Sequence, residues 1–168
     1  TLQRLSCANI DVEVGKVVYT QWLNDRGGIE ADLTIARLEE NRFWIITGIG
    51  SLNRDWWRLK HHLEPDVKLT DLSMSYACLA LHGPNSRDLL QPMIESDLTS
   101  KAFNFGTGKF SKLNGKTVWI QRLSYVGELG FELYVKFDDA KKIYELLIEK
   151  GKDFNLSNCG MHAMDIMR

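Results

Sequence analysis

The sequence predicts an α+β fold of mostly antiparallel sheets with covering helices, built as two subdomains. Three observations carry this. The segments run β-α-β-β-β-α, with strands following one another directly, which is the order of an antiparallel sheet covered by helices on one face and not of a doubly wound parallel sheet. Short polar turns, among them "EEN" and Asn114-Gly115, join neighbouring strands as hairpins. Around residues 65 to 73 the composition turns polar, "PDVKLTDLS", which divides the chain into parts 1–70 and 71–168.

Each element follows from its own pattern. The opening "TLQRLSCANIDV" has Leu2, Leu5 and Ile10 spaced for one face of a helix in its last turns. "VVYTQWL" (17 to 23) and "DLTIARL" (32 to 38) are rich in β-branched residues, and the second alternates Leu33 and Ile35 with Asp32 and Thr34. "RFWIITGIG" (42 to 50) pairs back across the "EEN" turn and ends at Gly48 and Gly50. In "SLNRDWWRLKHHLEP", Asn53 is positioned to cap an amphipathic helix bearing Trp56, Leu59 and Leu63, with Pro65 beyond its end.

The second part opens with the strand "YACLALHG", which passes through Gly83-Pro84 into a short helix that Pro92 ends or kinks. "FNFGTGKFSKL" and "KTVWIQRLSY" form a hairpin about Asn114-Gly115, and "FELYVKF" is a further strand. "DDAKKIYELLIEKG" is the clearest helix: Asp138 caps it, Ala140, Ile143, Tyr144 and Leu147 form its apolar stripe, and Gly151 takes the C-terminal position. "CGMHAMDIMR" begins another helical pattern. Both ends therefore predict a piece of a longer polypeptide, truncated at its C-terminal end.

The totals narrow the partner. A 168-residue chain that is 44% hydrophobic has enough apolar material for a packed core. Twenty-one basic and 22 acidic side chains give a net charge of −1, so there is no overall attraction to nucleic acid or an anionic membrane. A small molecule or another protein is the expected partner. Cys7, Cys78 and Cys159 have neither zinc-site spacing nor an even count, and read as reduced thiols of a cytoplasmic or mitochondrial-matrix compartment.

Two stretches carry candidate chemistry. In "NDRGGIEADL", Gly27 and Gly28 allow a positive φ or a close approach, and Asp32 points from the start of the next strand toward that gap. Taken alone, the pattern favours a solvent-facing acid at a strand end; the alternative is a carboxylate that orients an amine or accepts a proton. In "YVGELGFELYV", Glu132 and Tyr134 lie on the strand face opposite Phe131, Leu133 and Val135. Taken alone, Glu132 again reads first as an acid on a half-exposed sheet. The alternative is a partner for a ring edge with adjacent N–H donors, since a carboxylate accepts two such bonds side by side.

Other motifs are set aside. "GELG" lacks a following Lys-Ser/Thr and precedes a strand, so it is not a phosphate loop. His61 and His62 are adjacent and face different ways, and His82 and His162 have no partner at ligand spacing, so no metal is expected.

Together, "YTQWLNDRGGIEADLTIARL", "FWIITG", "ALHGPNSRDLL", "LSYVGELGFELYV" and "NCGMHAMDIMR" resemble the tetrahydrofolate-binding aminomethyltransferase family over nearly the whole chain. The wording is closer to the C-terminal folate domain of dimethylglycine and sarcosine dehydrogenases than to the free-standing glycine cleavage protein. The resemblance implies that Asp32 lies beside the reactive nitrogens of tetrahydrofolate and is catalytic. It also implies that Glu132 holds the pterin, that Tyr125 lines the site, and that Trp44, Ile46 and Thr47 wall the folate pocket. The implied product is 5,10-methylenetetrahydrofolate plus an amine, from an amine-derived one-carbon donor. FAD would belong to an upstream domain, because no "GxGxxG" is present here. Methyl transfer from a demethylated donor and a non-catalytic folate-binding scaffold are the alternatives within the family. Met164 stands where glycine cleavage members carry an arginine, and the family's C-terminal barrel-like domain is absent from this stretch.

Overall fold

A computed structural model describes all 168 residues. They form two compact units, Thr1–Asp71 and Leu72–Arg168, each α+β.

The first unit contains α1 (Leu2–Leu5), β1 (Val17–Leu23), β2 (Ile29–Glu39), β3 (Arg42–Thr47) and α2 (Leu52–His62). Its three strands form one antiparallel sheet with β2 in the middle. The sheet buries Trp22, Ala31, Leu33 and Ile35 against Leu59 of α2 and Ile10, and Leu2 and Leu5 pack at the edge of this cluster. The three residues expected on one helical face thus meet, although α1 is a single turn and Ile10 lies beyond it.

Two local expectations are corrected here. Strand β2 begins at Ile29, so Asp32 lies inside the strand and not at its start. The reason is that β1 keeps its partners down to the turn, with Trp22 opposite Ala31 and Leu23 opposite Ile29. The N-cap of α2 is Ser51 and not Asn53. Ser51 contributes the carbonyl that accepts the Asp55 N–H at 3.0 Å, and its own Oγ donates to the Gly48 carbonyl at 3.0 Å.

The second unit contains β4 (Tyr76–His82), α3 (Ser86–Leu90), β5 (Gly108–Leu113), β6 (Lys116–Gln121), β7 (Gly130–Lys136), α4 (Phe137–Gly151) and α5 (Met161–Met167). Its antiparallel sheet has the order β4-β7-β6-β5. Leu81, Ile120, Phe131 and Leu133 on one face pack against Leu89 and Leu90 of α3 and Ile143 and Leu147 of α4. Each such side chain contributes on the order of 1.5–3 kcal/mol by leaving water. After α3 the chain tightens into one 3-10 turn, Gln91–Met93, where Pro92 takes a position that needs no amide donor.

Strands β5 and β6 are shorter than the sequence pattern. Phe103 is buried in the connection before β5, and Gly106 turns the chain with a φ of +70°. Helix α4 departs from expectation at three points. It already begins at Phe137, so Asp138 sits inside the first turn and makes no capping bond. Tyr144 is 40% exposed and accepts a hydrogen bond from Asn158 Nδ2 at 2.7 Å, so it is not part of the apolar stripe. Gly151 is the last helical residue, and Leu156 packs where its Cβ would be. The left-handed residue that turns the chain is Asn155, φ +56°, after a 3-10 turn.

Candidate functional site

The first group of candidates lies on the sheet of the first unit. Antiparallel partners share a face and successive residues alternate, so register fixes which side chains are neighbours. Gln21 pairs with Asp32, Tyr19 with Thr34, Thr34 with Ile46, and Ala36 with Trp44. Asp32, Trp44 and Ile46 therefore share the face opposite the buried Leu33 and Ile35. Asp32 is exposed, and its carboxylate makes no hydrogen bond or ion pair within the chain.

Thr47 lies on the other face, opposite Leu33. Its hydroxyl donates to Asp55 Oδ2 at 2.5 Å and meets Ser51 Oγ at 3.1 Å. Asp55 is 2% exposed, so this bond satisfies a buried carboxylate that would otherwise be costly. The structure thus separates Thr47 from Trp44 and Ile46 and gives its side chain a packing role between β3 and α2.

The double glycine serves the turn that leads into β2. Gly27 takes a φ of +80°, which a side chain would strain. A Cβ on Gly28 would lie 3.0 Å from Asn24 Nδ2. Asn24 uses that space: its Oδ1 accepts the amides of Arg26 at 3.0 Å and Gly28 at 2.9 Å, and its Nδ2 donates to Glu30 at 2.8 Å. The close approach anticipated at Gly28 is made by the chain's own asparagine.

The second group lies in the second unit. Glu132 is half-buried on β7, opposite Ala80 and Gln121. Its Oε2 accepts hydrogen bonds from Gln121 Nε2 and Tyr134 OH, both at 2.7 Å. Oε1 accepts none within the chain. Burial first, then the charges of Cys78 and Glu132, hold the Tyr134 phenol far above the ordinary tyrosine range, so it remains a donor. Tyr125 lies in the loop before β7, 42% exposed, with its hydroxyl accepting from Arg168 Nη1 at 2.6 Å and the guanidinium 4.9 Å above its ring. Met164 on α5 is half-buried.

Sequence reasoning missed Gln121 as a polar partner of Glu132, Trp119 as the donor to Gln121, Gln21 beside Asp32, and the contact of Arg168 with Tyr125. Parity along β6 would have placed Gln121 and Trp119 on one face. Pairing that face with Glu132 needs the β6–β7 register, which no turn signal in the intervening loop reveals. The three cysteines are free thiols, and no cluster of His, Cys, Asp or Glu is arranged to hold a metal. No helix is long and apolar enough to cross a membrane.

Two antiparallel sheets with covering helices are the α+β fold of an aminomethyltransferase-type domain. The family described as the GCVT N-terminal domain matches residues 1–168, and the chain belongs to it. It is 36% identical over 167 residues to 4-methylaminobutanoate oxidase (formaldehyde-forming) of Paenarthrobacter nicotinovorans, covering 99% of this chain and 20% of that protein. The chain therefore spans about a fifth of that relative's length. The glycine cleavage system aminomethyltransferase T from Bartonella henselae superposes with a TM-score of 0.78 at 25% identity, over 98% of this chain and 43% of the other. The heterotetrameric sarcosine oxidase of Corynebacterium sp. U-96 shares the fold, with a TM-score of 0.66 at 17% identity over 88% of this chain and 69% of the other.

Proposed function

We propose that this domain accepts a one-carbon unit from an oxidised N-methyl amine onto tetrahydrofolate, as part of a longer amine-oxidising polypeptide that carries FAD in another domain. The observation that carries the reading is the free Asp32 carboxylate on the sheet face it shares with Trp44 and Ile46. The chemistry of Glu132 fits the ligand, since a pterin presents N–H donors and Glu132 Oε1 is an acceptor with no partner in the chain. Bound tetrahydrofolate would supply two N–H nitrogens for the iminium carbon, with one proton going to the leaving amine and the other to a base, so that the product would be 5,10-methylenetetrahydrofolate.

In this reading Asp32 takes the proton released from the attacking nitrogen and stabilises the positive charge that develops there. Glu132 accepts from the pterin edge and fixes its orientation. Tyr125 lines the site, and Trp44 and Ile46 give apolar walls that lower the local dielectric. Thr47 acts only through its backbone position at the end of β3. The 36% identity to an oxidase of a methylamino acid supports the amine context.

The test is Asp32→Asn in the full-length protein. Tetrahydrofolate binding, followed by calorimetry, should change by less than about threefold, while methylene transfer should fall by about 10²–10⁴-fold, the usual loss of a general base. Normal transfer by this variant would remove Asp32 from the chemistry. Methyl-folate as the product would replace methylene transfer with methyl transfer.

A further inference from the structure

We propose that Gln121 is a positioning residue for Glu132, and that Trp119 and Gly108 set the direction in which Gln121 points. The proposal rests on the reading of Glu132 as the acid that accepts from the pterin edge. The geometry is a directed chain along one sheet face. Trp119 Nε1 donates to Gln121 Oε1 at 3.1 Å, and Gln121 Nε2 donates to Glu132 Oε2 at 2.7 Å.

An indole N–H is only a donor, so the Gln121 atom facing it must be the carbonyl oxygen, and the amide nitrogen is thereby turned toward Glu132. Gln121 is 0% exposed, and a buried amide with its two ends so occupied has one orientation available. Tyr134 OH adds the second bond to the same carboxylate oxygen and lies 3.3 Å from Gln121 Nε2. The result is asymmetric, with Oε2 saturated from within the sheet and Oε1 left for a ligand.

Gly108 belongs to this device. It is paired with Gln121 across β5 and β6, and the Trp119 indole lies where its Cβ would be. Phe110 meets the same indole edge-on, with ring centroids 5.1 Å apart and planes at 71°. The indole is held flat over a glycine and braced by a phenyl ring, which fixes its N–H on Gln121.

The experiment is a double-mutant cycle in the full-length protein with Gln121→Met and Glu132→Gln, reading the Kd of tetrahydrofolate and the KM and kcat of methylene transfer. Gln121→Met should raise Kd and KM by about tenfold, the equivalent of one hydrogen bond to a charged group, with kcat within about twofold. In the Glu132→Gln background the same change should have almost no effect, because its route is already gone. Tyr134→Phe, which removes only a hydroxyl, serves in the same cycle if Gln121→Met fails to fold. Additive effects, an unchanged Kd in both donor variants, or a matching loss in kcat would overturn the positioning role while leaving Glu132 in place. Wild-type affinity in Glu132→Gln alone would overturn the Glu132 reading and the proposal with it.

Discussion

His82 closes β4 with its Nε2 buried and without a hydrogen-bond partner. Burial lowers its pKa from 6.5, and the nearby Glu132 charge only partly opposes this. The sign follows from proton counting. The folded chain keeps the ring neutral while the unfolded chain takes up a proton below 6.5, so stability falls as pH drops through that value and levels off below the folded pKa. Denaturant unfolding between pH 7.5 and 5 should show this slope in the wild type and a shallower one in His82→Gln; parallel slopes would remove His82 as its source.

At the same scale, parity was the most informative signal in the sequence. It put Glu132 and Tyr134 on one face, where they share a hydrogen bond. Applied to "FWIIT" it also puts Thr47 on the strand face opposite Trp44 and Ile46, as the β2–β3 register does. Hydrogen bonds to Asn24, Asp55 and Gln121 were not legible, because each depends on a partner whose position is set by turns or by strand pairing.

Elements were legible where their pattern was local. The Asn114-Gly115 hairpin joins β5 and β6, with Leu113 opposite Lys116, because two residues suffice to specify it. The ends of elements were less so. Helix α4 ends where Leu156 packs on Gly151 and donates its N–H to the Gly151 carbonyl at 2.9 Å, and it begins one residue before the acid that propensity favours as its cap. The turn between β1 and β2 offers a test at this scale. Asn24→Ala removes the acceptor of two backbone amides and the contact to Glu30, and should cost about 1–2 kcal/mol. Because this turn feeds directly into β2, tetrahydrofolate-dependent transfer should fall together with stability in a chemical denaturation series. A stable but inactive variant would instead show that Asn24 acts outside the turn.

For the molecule as a whole, the two cores differ in depth. The second unit buries Phe131, Leu133 and Ile120 completely, and Phe131→Ala should cost about 3–5 kcal/mol by leaving a cavity between the sheet and its helices. Thermal unfolding measures it, and a loss under 1 kcal/mol would show that the site collapses around the smaller side chain. The proposed context gives a further expectation. In the full-length protein Asp32→Ala should leave amine oxidation running while free formaldehyde accumulates in proportion to substrate consumed. Loss of oxidation in that variant would tie Asp32 to the oxidative step and not to carbon capture.

The placement of the two acids has a wider consequence. Asp32 lies on β2, between β1 and β3, and Glu132 on β7, between β4 and β6. Neither sits on an edge or in a loop, so insertions, deletions or fusions in the connecting segments leave both carboxylates on backbone held by neighbours on each side. Fusing such a domain to unfamiliar partner proteins should therefore leave both acids where the sheets hold them, a tolerance to splicing that thermal unfolding of the fusions would measure.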